Sequence, residues 1–205
     1  MERDDTGGNP FATALVEVLA IPELPLRDFG ERLAAANAKY SFGWHSAEIP
    51  RSVPLPFWTF ARRREEQRVA LVLAVSDYSH AGGGVASLGG SRFDAGRVAE
   101  AFKRVGFDTT VLLDTPHDAL DAAFDAFANR AANADVAAVY ITGHGVQRGR
   151  DAYLILGDYP EQSARYLETN AVSLKRISGL ARASELNLVF FSSCRDNPFS
   201  GRRND

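Results

Sequence analysis

The sequence predicts a single α/β domain in which helices cover both faces of a mostly parallel sheet, and three observations lead there. Residues 69–75, 109–113, 136–142 and 186–191 are short, largely apolar runs, the pattern of strands buried on both faces. Amphipathic stretches of helical period separate them, so strand and helix alternate. A chain of 205 residues with 45% hydrophobic content is long enough for one core of this kind.

Taken in order, the chain opens with helical stretches at 11–19 and 26–36, punctuated by Pro22 and Pro25. A proline-spaced stretch follows, and residues 56–60 have the composition of a short strand. The charged run Ala61-Arg62-Arg63-Arg64-Glu65-Glu66-Gln67 then divides the chain. Residues 69–75 form the first strand of the alternation, followed by a glycine-rich loop through Gly90. Over 93–105, Val98, Ala101, Phe102 and Val105 share one helical face, and Gly106 stops that helix. Strand 109–113, amphipathic helix 118–132 (through Leu120, Ala123, Phe124 and Phe127) and strand 136–142 come next. Residues 153–156 are short and β-like, 172–183 helical, and 186–191 the last strand. Helices before the charged run have no strand preceding them, so they are expected to pack on the later sheet.

Composition excludes several function classes. A net charge of −3 gives no nucleic-acid footprint, and the clusters Arg62-Arg63-Arg64 and Arg202-Arg203 read as a solvated linker and tail. One cysteine cannot form an internal disulfide, which favours a reducing compartment. Met1-Glu2-Arg3-Asp4-Asp5 is unlike a secretory signal, and no apolar run approaches the ~20 residues that span a membrane. The expectation is a cytoplasmic protein without membrane or nucleic-acid partner. One cysteine and four scattered histidines offer no zinc-ligand spacing, so no metal site is expected.

The lone thiol, Cys194, follows the strand that ends in Phe190-Phe191-Ser192-Ser193, and His144 follows the strand Val139-Tyr140-Ile141-Thr142. In open α/β sheets, sites form beyond the carboxyl ends of strands. If these two strands are neighbours, their ends lie roughly 5 Å apart, within the reach that a nucleophile and its base require. Gly145 allows a substrate carbonyl close to the backbone, and its N–H and that of Cys194 are natural oxyanion donors. Against this, a lone buried cysteine is commonly packing, and a strand-end histidine is often simply hydrogen-bonded. On these residues alone both readings stand. The loop Gly82-Gly83-Gly84-Val85-Ala86-Ser87-Leu88-Gly89-Gly90 sits where a phosphate cradle would, but lacks a Gly-Lys-Ser/Thr ending and the Gly-x-Gly-x-x-Gly spacing. It reads as a rim loop, and a nucleotide-binding domain is the more distant alternative. No Gly-x-Ser-x-Gly elbow supports Ser192 or Ser193 as nucleophile.

With these residues in view, the chain resembles the caspase superfamily, in its bacterial caspase-like and metacaspase branch. Tyr140-Ile141-Thr142-Gly143-His144-Gly145-Val146-Gln147 is similar to the family's catalytic-histidine motif, and Phe191-Ser192-Ser193-Cys194-Arg195-Asp196-Asn197-Pro198-Phe199 to its catalytic-cysteine motif. Residues 69–75 resemble its first strand, Phe93-Asp94-Ala95 its Asn-Asp-Ala element, Val105-Gly106-Phe107-Asp108 the turn into its second strand, and 153–158 the segment after the histidine. Residues 8–19, 26–36 and 53–60 look like the two helices and closing strand of the small-subunit region, which ordinarily follows the cysteine. The resemblance therefore implies a caspase-like three-layer sandwich that is circularly permuted: one domain, 1–205, with a small-subunit-like segment 1–60, a linker 61–68 and a large-subunit-like segment 69–205. The family's strand between the cysteine motif and the small-subunit helices has no clear match: either it is absent, or residues 1–7 and the C-terminal tail partly substitute for it.

What the resemblance implies for function is a cysteine endopeptidase acting on polypeptides, with Cys194 as nucleophile, His144 as base, and Gly145 and Cys194 amides as the oxyanion hole. The break in the permuted chain falls near the linker that many relatives cut to mature, which implies competence without processing. Metacaspase-like relatives cleave after arginine or lysine. Asp94 matches one pocket aspartate and Thr142 a small hydroxyl residue, while Ser192 stands where a second aspartate belongs. No cofactor is required, although calcium activates some relatives, and Asp94 and Asp158 are the acids considered for it. The alternative is a catalytically silent caspase-like interaction module.

Overall fold

The computed structural model describes residues 8–50, 52–61, 65–82, 85–160 and 164–193. Cys194, with the motif through Phe199, lies outside the described residues, as do Arg62-Arg63-Arg64 and Gly83-Gly84. The elements are α1 (Pro10–Leu19), α2 (Leu26–Tyr40), β1 (Arg68–Ala74), α3 (Gly89–Arg104), β2 (Asp108–Leu113), α4 (His117–Ala132), β3 (Val136–Thr142), β4 (Gly145–Arg148) and β5 (Asp151–Ile155). After a 3₁₀ turn at Ala164–Tyr166 come α5 (Leu167–Asn170), β6 (Ala171–Ser173), α6 (Leu174–Ser178) and β7 (Leu186–Ser192).

Among the described residues, four strands form a wholly parallel sheet in the order β2-β1-β3-β7. The inner strands β1 and β3 are buried throughout, as their unbroken apolar runs require. Alternate residues serve opposite faces. Leu71, Leu73, Ala137, Val139 and Ile141 pack with α4 and α6. Ala70, Val72, Ala138, Tyr140 and Phe190 pack with α1, α2 and α3. The helices at the start of the chain thus bury their apolar sides on the later sheet, as expected. β4, β5 and β6 form a separate antiparallel sheet. No helix among the described residues is long and apolar enough to cross a membrane.

Local sequence sets the element ends. Asn9 caps α1, its side-chain oxygen accepting from the Phe11 and Ala12 amides at 2.8 and 3.2 Å, with Pro10 at the first helical position. Gly106, at φ +90°, closes α3. Its N–H donates to Lys103 O and that of Phe107 to Phe102 O, both at 3.0 Å, while Phe107 packs on Phe102 at 5.3 Å. This is the Schellman arrangement, in which only glycine takes the left-handed position without strain.

Five expectations are corrected. The stretch 172–183 is not one helix: it supplies β6, the short α6 and an irregular run. Residues 53–60 form no sheet strand. The chain there makes an isolated bridge between Pro25 and Thr59 and gives the Trp58 and Pro56 carbonyls to the Leu26 and Arg27 amides, because Pro54 and Pro56 have no N–H for a ladder. Helix α3 begins at Gly89, within the glycine-rich stretch, and α2 runs on to Tyr40. Arg68, placed at the end of the linker, is the first residue of β1 and is buried.

Candidate functional site

β3 and β7 are adjacent and parallel, with Thr142 opposite Ser192 as the last register pair. His144 lies two residues beyond Thr142, and Cys194 two beyond Ser192 in the sequence. The ends of β3 and β7, which precede the two residues in the sequence, are therefore neighbouring and level.

His144 is positioned by Tyr78, Gly143 and Ala86. Its backbone N–H donates to the Tyr78 hydroxyl at 2.8 Å, and that hydroxyl donates to Ile155 O at 3.1 Å. The two rings pack edge to face at 4.6 Å. Gly143 makes this approach possible: it sits at φ +150°, and a Cβ there would come within 2.9 Å of the Tyr78 hydroxyl and 2.8 Å of Leu154 Cδ1. The imidazole Nε2 lies 2.8 Å from the Ala86 carbonyl oxygen. A carbonyl can only accept, so Nε2 carries a proton and the neutral ring keeps its lone pair on Nδ1. Partial burial lowers the pKa of His144 below its ordinary value, and the Ala86 bond opposes that shift. A neutral imidazole with fixed tautomer and one basic nitrogen is what a general base needs at neutral pH.

The Ala86 carbonyl is the orienting group that no side chain announced. Its loop is fixed on both sides, Tyr78 N–H donating to Ser87 Oγ at 3.0 Å and Leu88 N–H to Ser76 O at 2.7 Å. The glycine-rich stretch thus supports the histidine. Tyr78→Phe should lower kcat by about tenfold and destabilise the fold by about 1–3 kcal/mol, because the His144 N–H loses its acceptor inside the protein. Steady-state kinetics and denaturant unfolding check both effects.

Gly145 follows His144 directly and opens β4 opposite Leu154. Asp94, Thr142 and Ser192 do come together, on the sheet face that α1 and α3 cover. Asp94 and Thr142 are fully buried and Ser192 nearly so. Asp94 is engaged: Arg97 Nη2 donates to Oδ1 at 2.8 Å and the Asn9 N–H to Oδ2 at 2.9 Å. Among the described residues, the buried Thr142 and Tyr140 hydroxyls meet no partner in full hydrogen-bond geometry, although Ser192 and Thr142 lie near enough to the Tyr140 phenol to moderate its pKa. Burial first, and then the Asp94 charge, push the Tyr140 phenol above its usual pKa.

The two acids considered for calcium do not share a site. Asp94 faces Arg97 and Asn9, whereas Asp158 accepts from the His117 amide at the start of α4 at 2.9 Å. Among the described residues there is no group of three or more His, Cys, Asp or Glu side chains placed to hold a metal. A groove of about 800 Å³, lined among others by Leu188, Val189 and Phe191 of β7 with Ile49 and Val53, reaches Ser193; β7 is an edge strand among the described residues.

Residues 67–205 match the family model described as the caspase domain. No curated protein matches. Among solved structures, the crystal structure of protein GSU0716 from Geobacter sulfurreducens is similar, with a TM-score of 0.46 and 22% identity over 62% of this chain and 50% of that one. The chain spans about half the length of that protein.

Proposed function

This chain belongs to the caspase-domain family of cysteine peptidases, and from that premise we propose that it is an endopeptidase using Cys194 and His144. The observation that carries the proposal is the register of β3 and β7, which sets Thr142 beside Ser192 and so brings the two strand ends together. His144 Nδ1 takes the thiol proton as Cys194 sulfur attacks the scissile carbonyl. The imidazolium then returns that proton to the leaving amine, and water attacks the acyl-enzyme with His144 again as base. The Gly145 and Cys194 amides hold the oxyanion, each such donor contributing roughly 3 kcal/mol to transition-state stabilisation. The groove beside β7 reaches Ser193, which precedes Cys194 in the sequence, and suits an extended polypeptide.

Residues 8–61 lie outside the matched region, and α1 and α2 pack beside α3 on the same face of its sheet. That packing supports the permuted order, in which the early helices take the role of the small subunit and the whole chain acts as one domain without internal cleavage. The preference for arginine or lysine rests on Asp94, to which a guanidinium can bind in a charge-assisted pair. A second reading is favoured by one observation, the engagement of both Asp94 oxygens: a catalytically silent module that binds a partner.

Fluorogenic arginyl, lysyl and aspartyl peptides, with wild type and Cys194→Ala, decide between the two. The peptidase turns over arginyl and lysyl peptides faster than aspartyl ones, without autocleavage on a gel, and Cys194→Ala is inactive. If wild type cuts none of them and a thiol-directed active-site probe leaves Cys194 unlabelled, the binding module is correct.

A further inference from the structure

The pocket assigned to Asp94, Thr142 and Ser192 is filled by the protein's own chain. Asn9 is only 4% exposed. Its N–H donates to Asp94 Oδ2 at 2.9 Å and its Nδ2 to Ser192 Oγ at 2.5 Å. Gly8 lies so close to the Asp94–Arg97 pair that a Cβ would stand 2.4 Å from Asp94 Oδ1 and 2.5 Å from Arg97 Nη2. Arg97 also donates to Thr13 Oγ1 at 2.7 Å, which ties its guanidinium to α1. Beside them, among the described residues, the buried Thr142 and Tyr140 hydroxyls meet no partner in full hydrogen-bond geometry, the Tyr140 phenol having Ser192 and Thr142 near it.

We propose that Gly8 and Asn9 are the internal occupant of this specificity pocket, and that their release admits a basic side chain to Asp94. The assignment rests on the peptidase reading of the pocket. An incoming guanidinium or amidinium competes with Arg97 and the Asn9 amide for one carboxylate and gives these two hydroxyls a donor. Selectivity for basic substrates is therefore set by how firmly the segment before α1 is seated, as well as by Asp94 itself. Gly8 fixes that seating sterically and Asn9 through its hydrogen bonds, so two unrelated substitutions should loosen it.

Benzamidine, a small aryl amidinium, is the probe, titrated by calorimetry into full-length wild type, Gly8→Ala and Asn9→Ala. Each variant should bind it at least about tenfold more tightly than wild type, and Asp94→Asn added to either should remove the gain. Asn9→Ala also loses a helix cap, whereas Gly8→Ala keeps it, so either folded variant suffices. In wild type, saturating benzamidine should accelerate hydrogen exchange of the Asn9 amide. Unchanged or weaker binding by the variants, a gain that survives Asp94→Asn, or unaltered Asn9 exchange would each overturn the proposal. Alkylation of Cys194 by iodoacetamide follows the dyad alone. An inert thiol beside a positive benzamidine result would refute the peptidase while leaving the pocket's occupant in place.

Discussion

Replacing His144 with alanine is expected to lower kcat/KM on arginyl peptides by about 10³–10⁴-fold, the range over which a positioned general base accelerates proton transfer from a nucleophile. The loss should fall on kcat, since the imidazole stands at the strand end and takes no part in the pocket around Asp94. The pH profile of the wild type carries a second signature. Burial holds the folded-state pKa of His144 down, so the neutral base persists into more acid solution than an ordinary imidazole of pKa ~6.5 would allow. The acid limb of kcat/KM should therefore lie below that value. The same shift acts on stability. The unfolded chain binds a proton at His144 first, so this contribution is present above the unfolded pKa and is lost as pH falls through the folded one. An acid limb above pH ~7 would contradict the burial argument.

Arg68→Ala should destabilise the protein by about 3–5 kcal/mol, the usual result of breaking a buried ion pair from one side, and lower Tm by roughly 10 °C. Arg68 is 1% exposed and pairs with Glu66, itself 7% exposed. Its guanidinium also donates to Phe60 O at 2.9 Å, Val105 O at 2.8 Å and Ala61 O at 2.8 Å, and it lies over the Trp58 ring at 5.0 Å. One side chain thus joins the end of the early segment, the start of β1 and the end of α3. Removing Glu66 as well should restore only part of the loss, because the three carbonyls remain without their donor. Calorimetry on the single and double variants measures the difference.

The legible parts of the fold were those with a physical signal in the side chains. β1 and β3 were visible because strands buried on both faces must be apolar throughout. β7 was visible because its run is largely apolar, even though it ends the sheet among the described residues with Asn187 and Val189 exposed, and the end of α3 because Gly106 takes a conformation that other residues resist. β4 and β6 were not visible. They are four and three residues long, and the Val172, Ile177 and Leu180 spacing mimics one helical face although those residues are buried from a strand, a short helix and a turn. In the candidate site, His144 and Asp94 were named from the family motifs that their segments resemble. The Asp94–Arg97 pair was open to detection as an i,i+3 contact, but its closure by Asn9 depends on a contact across 85 positions. No residue type reports a carbonyl.

That last point has a consequence for variation at the site. The group that orients His144 belongs to the peptide bond after Ala86, so any amino acid at position 86 supplies the same oxygen. Substituting Ala86 cannot delete it. Only a change in the path of the main chain can, through loss of the Ser87 hydroxyl that accepts from the Tyr78 amide or of the bond from the Leu88 amide to Ser76 O. Evolution or a designer could therefore rewrite the side chain at 86, and use it to tune the rim of the cleft, without touching the proton chemistry next to it.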